Sequence, residues 1–501
     1  MEESVLGESH RRNSRSRNND LYRETFRVIR NRLRKYSYIS ALSAFATRTV
    51  PAGSSHEAVI SQLPWVADRI VLCLLRDDRR LYGHRPLPES EVEHCIHWAF
   101  TTLNQGLAIV GQLPLELLLR STLLAQLPYQ SGFEFDAFAR QFDLAERLTP
   151  DSRLRRYLQT ALGMPLFDFL ELALYFWTKS TGTMVDFADS RHWPAVKRSF
   201  PEEVMKSFFA RVMRSQERLR EELGEPHVDE WHQPVLLYRT PFATVGSQEF
   251  FFGGHNLRRN LEHAFSDLIA VSEDSGVRQA FDQHLEAYVG DALRRVPGEV
   301  LDEKSTRQRF GVKGKCCDYS QVDDGNIVLL EVKNKWLAHD MPAVAGAKAY
   351  QRRLEPTVLK GQLQLANVAA QIRANPVYAD FRVWQILVTS SDLVFGNARI
   401  LWDGASDEQT PVILSVDQLD RVLEAVRLGH CTLASFLADL AERNSDPSTS
   451  LFLPEMLLRH EPYIKGLHSE HLDPLYERLA QRLAKRIGDE NVRLGSIPLR
   501  C

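Results

Sequence analysis

Cysteine is scarce in this chain of 501 residues: Cys73, Cys95, Cys316, Cys317, Cys431 and Cys501 are all there are, and no two form a CxxC pair. Such spacing argues against a disulfide scaffold and against a zinc site built on thiolates, and it points to a reducing compartment. Neither charge dominates. Lys and Arg total 62 against 65 Asp and Glu, so bulk basicity cannot hold a polyanion and any such site must be a local patch. GxxxxGK[ST], GxSxG and HExxH are all missing, which removes the P-loop, serine hydrolase and zincin motifs; ATP-driven movement would need a motor protein partner. The first residues, MEESVLGESHRRNSRSRNND, hold no apolar segment, so no secretory signal is read and a cytoplasmic location is expected. Leu107–Leu127 is the most apolar stretch, but Glu116 and Arg120 inside it fit a buried helix pair better than a membrane span. His94, Cys95 and His97, His227 with His232, and His468 with His471 lack partners at metal-site spacing and read as ordinary histidines.

What is present is a globular composition, 44% hydrophobic and 25% charged, long enough for roughly three domains of about 100–200 residues. Residues 1–20 carry Arg11, Arg12, Arg15 and Arg17 among Ser and Asn and read as a disordered basic arm. From Leu21 the pattern turns helical, with Tyr22, Phe26, Ile29 and Leu33 on one face and Arg23, Arg27, Arg30 and Arg34 on the other. Those four arginines are candidate nucleic-acid contacts; the plainer alternative is a solvated face. Residues 21–235 are expected to form an α-helical domain, with six to eight helices over 56–222. Near 235, PVLLYRTPFATVG and SQEFFFGG read as short strands joined by a Gly turn, opening a mixed α/β unit over 236–405. Residues 406–501 are expected to be mostly helical, after a strand in PVILSV.

The chemistry concentrates in Lys315–Trp336, KCCDYSQVDDGNIVLLEVKNKW. Asp324-Gly325 between two β-rich runs signals a two-residue hairpin, because a type I′ turn needs positive φ at both central positions. With that turn, Asp323 faces Asn326, Asp318 stands opposite Glu331 and Cys316 opposite Lys333. Side chains alternate between faces, so Asp318, Glu331 and Lys333 converge on one face. Carboxylates facing each other across a sheet repel unless they share a cation, and Mg²⁺, with Mn²⁺ as an alternative, suits one or two carboxylates plus water and phosphate oxygens. Lys333 is placed to bind a phosphate oxygen or to orient an attacking water.

Asp318, twelve intervening residues, then Glu331-Val332-Lys333 after the apolar IVLL run resembles the signature of the PD-(D/E)xK nuclease superfamily, over about residues 265–400. Cys317 stands where the name-giving proline would be. The resemblance implies a restriction-endonuclease-like αβββαβ core with a mixed sheet, flanked by the helical N-terminal and C-terminal regions, so that the whole is an α+β or α/β multidomain chain. The order expected is helix 275–295, strands to about 336, helix 357–374 and strand 382–390. It further implies that a glutamate of the first helix joins the metal site, for which Glu286 is in place. A polar residue of the later helix approaches it; Gln362 leads there, with Lys360 and Gln364 as neighbours. Asp318, Glu331 and Glu286 become the metal ligands, and Lys333 and Gln362 join them in catalysis.

The expected function is Mg²⁺-dependent cleavage of nucleic acid, DNA ahead of RNA, in the manner of an endonuclease. A role in bacterial defence against phage or plasmid, a regulatory partner and a homodimer that cuts both strands go with it by analogy. The contrasting reading is an inactive module that keeps the fold and binds nucleic acid or protein.

Overall fold

The stripe Tyr22, Phe26, Ile29 and Leu33 repeats at three and four residues, and all four side chains are buried in the helix Glu2–Leu33. In the computed structural model, which describes residues 2–49, 62–106, 129, 135–178, 193–232, 236–335, 352, 354–393, 411–445, 454–466 and 469–488, this helix begins at Glu2, so the segment expected as a disordered arm is helical. Asn19 shows why order extends below Leu21: its side chain meets the His227 ring at 3.0 Å and accepts the Val228 N–H at 2.9 Å. Eight α-helices follow between Pro64 and Leu223 among the described residues. The Leu107–Leu127 stretch lies outside the described residues, and among those described no helix is long and apolar enough to cross a membrane.

Two mixed sheets form among the described residues. In the small one β1 (Met213–Ser215) runs parallel to β2 (Phe242–Val245), which pairs antiparallel with β3 (Gln248–Phe251). Leu236–Arg239, expected as strand, is a 3-10 turn whose last carbonyls, Tyr238 and Arg239, accept from the Asn260 amide. Because β1 precedes residue 235 and β2 follows it, the boundary expected there falls inside a sheet.

The larger sheet has the order β4 (Glu299–Asp302), β5 (Tyr319–Asp323), β6 (Asn326–Lys333), β7 (Arg382–Thr389), β8 (Val412–Ser415). The first three are antiparallel neighbours, and β6, β7 and β8 run parallel. The boundary expected at 405 therefore cuts between two strands of one sheet: the apolar run of PVILSV is its edge. Burial on both sides explains why β6 reads Ile-Val-Leu-Leu without alternation. Ile327 and Leu329 join Leu365, Val368 and Ile372 of the helix Lys360–Arg373 on one side. Val328, Leu330 and Val332 join Leu285, Val289 and Leu293 of the helix Ser275–Leu293, and Leu419 and Val422 of the helix Val416–Arg427, on the other. Helix starts match local chemistry, Asp274 capping Gly276 N–H at 2.9 Å and Ser415 forming a capping box with Gln418. Arg140 of the helix Asp136–Arg147 ties the helical region to this unit through Asp417 and Asp420, and Tyr288 donates to the same Asp420 at 2.7 Å.

Candidate active site

Asp324 and Gly325 have φ of +37° and +74°, the two left-handed positions that a type I′ turn demands. The turn sets the ladder from Asp323↔Asn326 to Tyr319↔Leu330, and one more step puts Asp318 opposite Glu331. The register expected from the turn is the one found. Asp318 accepts the backbone N–H of Val332 at 2.7 Å, which fixes its carboxylate at the end of the ladder.

Glu331 is 1% exposed and its Oε1 is paired with the Lys333 ammonium. Its Oε2 accepts from the Gln364 amide at 2.8 Å, and the same amide bonds the Cys316 carbonyl. Gly361 is what lets the helix come so near. A Cβ there would stand 2.7 Å from Leu387 Cδ1, 3.4 Å from Lys333 Cε and 3.5 Å from Glu331 Cγ. Of the polar residues on this helix, Gln364 bonds Glu331, while Gln362 is buried and Lys360 is exposed.

The first core helix contributes Glu286 and, one turn earlier, Asp282, which sequence reasoning passed over. Burial pushes Glu331 up to about 8, the Asp318 charge adds to this and Lys333 opposes it. Glu286 is pushed up to about 7 by burial and then by Asp318, again against Lys333. Burial raises Asp318 too, offset by the Val332 N–H and by Lys333. Asp282 is raised by burial and held back by the Asn334 amide and Lys333. Asn334 in turn accepts from Ser390 Oγ at 3.1 Å. The i, i+4 spacing of Asp282 and Glu286 was the available signal for Asp282, since one helix face carries both.

The donor set therefore suits a hard dication: carboxylates held above their ordinary range by burial first, with the Asp318 charge adding at Glu286 and Glu331, and Lys333 the cation that acts on all four. Among the described residues no group of three or more His, Cys, Asp or Glu stands close enough to hold a metal ion, so Glu286, expected as a third ligand, forms no such group with Asp318 and Glu331, the pair that would take a dication. Such a site is what Mg²⁺ uses when water and substrate oxygens complete its shell.

Arg23, Arg27 and Arg30 of the first helix and Arg34 just past its end have mostly internal employment. Arg34 is bidentate to the buried Asp77, Arg27 pairs with Glu24 and Arg23 donates to the Pro226 carbonyl. Arg30 has its Nε buried without a hydrogen-bond partner among the described residues. The Asp302-Glu303-Lys304 triplet, a second acidic-x-Lys sequence, serves as a helix start, with Asp302 capping Ser305 N–H at 2.8 Å.

No protein-family model matches this chain, and searches of curated proteins and of solved structures also return no match.

Proposed function

We propose that this chain is a metal-dependent nuclease with a restriction-endonuclease-like core, hydrolysing the phosphodiester bonds of nucleic acid, DNA ahead of RNA. The observation that carries the reading is the convergence of Asp318, Glu331 and Lys333 at the end of the β5–β6 hairpin, with Gln364 on Glu331. The order of elements supports it: helix Ser275–Leu293, strands β4 to β6, helix Lys360–Arg373 and strand β7 follow the αβββαβ sequence, with the short helix Glu303–Phe310 inserted between β4 and β5.

Asp318 and Glu331 are the residues to hold Mg²⁺ or Mn²⁺, with Glu286 beside them. A bound dication supplies Lewis acidity toward the phosphate and a more acidic water. The chain's own part is positional. Gln364 fixes one Glu331 oxygen and Val332 N–H fixes one Asp318 oxygen, so neither carboxylate must reorganise when substrate arrives. Lys333, on the same face, neutralises charge on a phosphate oxygen or steers the attacking water.

The test is incubation of the purified chain with linear, circular and single-stranded DNA and with RNA, in Mg²⁺, Mn²⁺ or EDTA. Cleavage that needs the metal and disappears in Glu331→Ala is expected. Absence of cleavage on every substrate would sink the enzyme reading and favour a binding module on the same fold.

A further inference from the structure

The segment between the helix Glu303–Phe310 and Asp318 reads Gly311-Val312-Lys313-Gly314-Lys315, and neither the fold nor the metal chemistry accounts for its two lysines. Both are exposed, and neither has an acidic partner among the described residues. Nearby arginines differ: Arg307 is paired with Glu303 and Arg309 with Glu299. Gly311 and Gly314 have φ of +70° and +82°, and a Cβ at either would meet nothing within 4 Å, so this side of the loop opens to solvent.

The loop is nevertheless held firmly. Gln371 clamps the peptide of Lys313 from both sides, its Oε1 accepting the Lys313 N–H at 2.7 Å and its Nε2 donating to the Lys313 carbonyl at 3.3 Å. Seven residues earlier on the same helix, Gln364 holds the Cys316 carbonyl and Glu331. Two turns of one helix thus fix the basic loop and the candidate metal ligand together. Lys315 lies three residues before Asp318, so their Cα atoms are within about 11 Å. At about 3.4 Å of helix axis per nucleotide of a strand, that is a reach of roughly three nucleotides.

We propose that Gly311–Lys315 is a phosphate-backbone clamp, in which Lys313 and Lys315 hold the nucleic-acid strand beside the bond to be cut and Gln371 is the positioning residue that aims them. The inference rests on the nuclease reading and names the part of the substrate, its phosphates and not its bases, that this loop takes. Lysines on an open, rigid loop contact phosphate as point charges and carry no sequence information.

The experiment measures binding of the full chain to a labelled duplex DNA, the same single strand and an RNA copy, in EDTA, from about 50 to 200 mM salt. Lys313→Gln combined with Lys315→Gln is expected to lower affinity and to make the slope of log K against log salt shallower by about 1.8 on duplex, or about 1.4 on single strands. Gln371→Ala keeps both charges and is expected to lower affinity with a smaller change of slope, whereas Lys485→Gln on the C-terminal helix changes neither. An unchanged slope and affinity in the double variant, with circular dichroism unaltered, overturns the clamp even if the wild type cleaves. A shallower slope in a protein that cleaves nothing supports the clamp and overturns the nuclease reading instead. No binding to any of the three probes overturns both.

Discussion

Asp318 accepts the Val332 N–H at 2.7 Å, and this one bond ties its carboxylate to the residue between Glu331 and Lys333 on β6. The bond separates charge from placement. In Asp318→Asn the amide oxygen still accepts the N–H, so stability is expected to stay within about 1 kcal/mol of wild type, while Asp318→Ala loses the bond and about 1–2 kcal/mol. Metal-dependent cleavage is expected to fall by about 10³-fold or more in both, equivalent to about 4 kcal/mol. Thermal melts beside a cleavage assay check this; an active Asp318→Asn chain would remove Asp318 from the chemistry.

Glu331 is a buried acid pushed up to about 8, so at neutral pH without metal its ionised form costs stability. Its contribution is unfavourable from the ordinary carboxylate range upward, as the folded form binds its proton more tightly than the unfolded one. Glu331→Gln is therefore expected to raise stability in EDTA by about 1–3 kcal/mol while abolishing cleavage. Denaturant melts with and without Mg²⁺ check it, and the advantage of the variant should shrink when Mg²⁺ stabilises the wild type alone.

Gly361→Ala places a methyl group 2.7 Å from Leu387 Cδ1, and Leu387 is fully buried with little room to yield. The expected cost is about 1–3 kcal/mol. Because the helix must back away from β6, Gln364 should lose its reach to Glu331, and cleavage should fall beyond what the stability change explains.

Acid should weaken the fold through two histidines. Burial, and then Arg147, pushes His284 down to about 4, and burial with Arg295 pushes His471 down to about 3. Below about pH 6.5 the unfolded chain takes up protons that these folded histidines refuse, so their contribution falls as pH drops toward 4, by at most about 1.4 kcal/mol per unit for each, against the gain from the raised Glu331 and Glu286 over the same window. Relative to wild type, His284→Gln should gain midpoint as pH falls through that window. An identical slope in the variant would show that His284 does not govern it.

The hairpin was legible because its turn is chemical: Asp-Gly tolerates φ values that few other pairs do, and alternation then carries the register to Asp318, Glu331 and Lys333. The later helix was legible as a helix, but not in its rotation. Its π-type first turn, Glu355–Leu359, and the close approach at Gly361 turn Gln364 onto Glu331, and neither follows from spacing alone. The internal partners of the arginine face were hidden for a similar reason, since Asp77 and Pro226, which bond Arg34 and Arg23, lie far away in the chain. Asp302-Glu303-Lys304 also follows a strand, the short β4 that ends at Asp302, but leads into the helix Glu303–Phe310.

The three-residue strand Met213–Ser215 lies on one side of residue 235 and pairs with Phe242–Thr244 on the other. A protease nick or gene break at that point would leave each fragment with half of a shared ladder. The helical half is then not a separable cassette at this point: it and the half that carries Asp318 and Glu331 each hold one side of a ladder that neither completes alone.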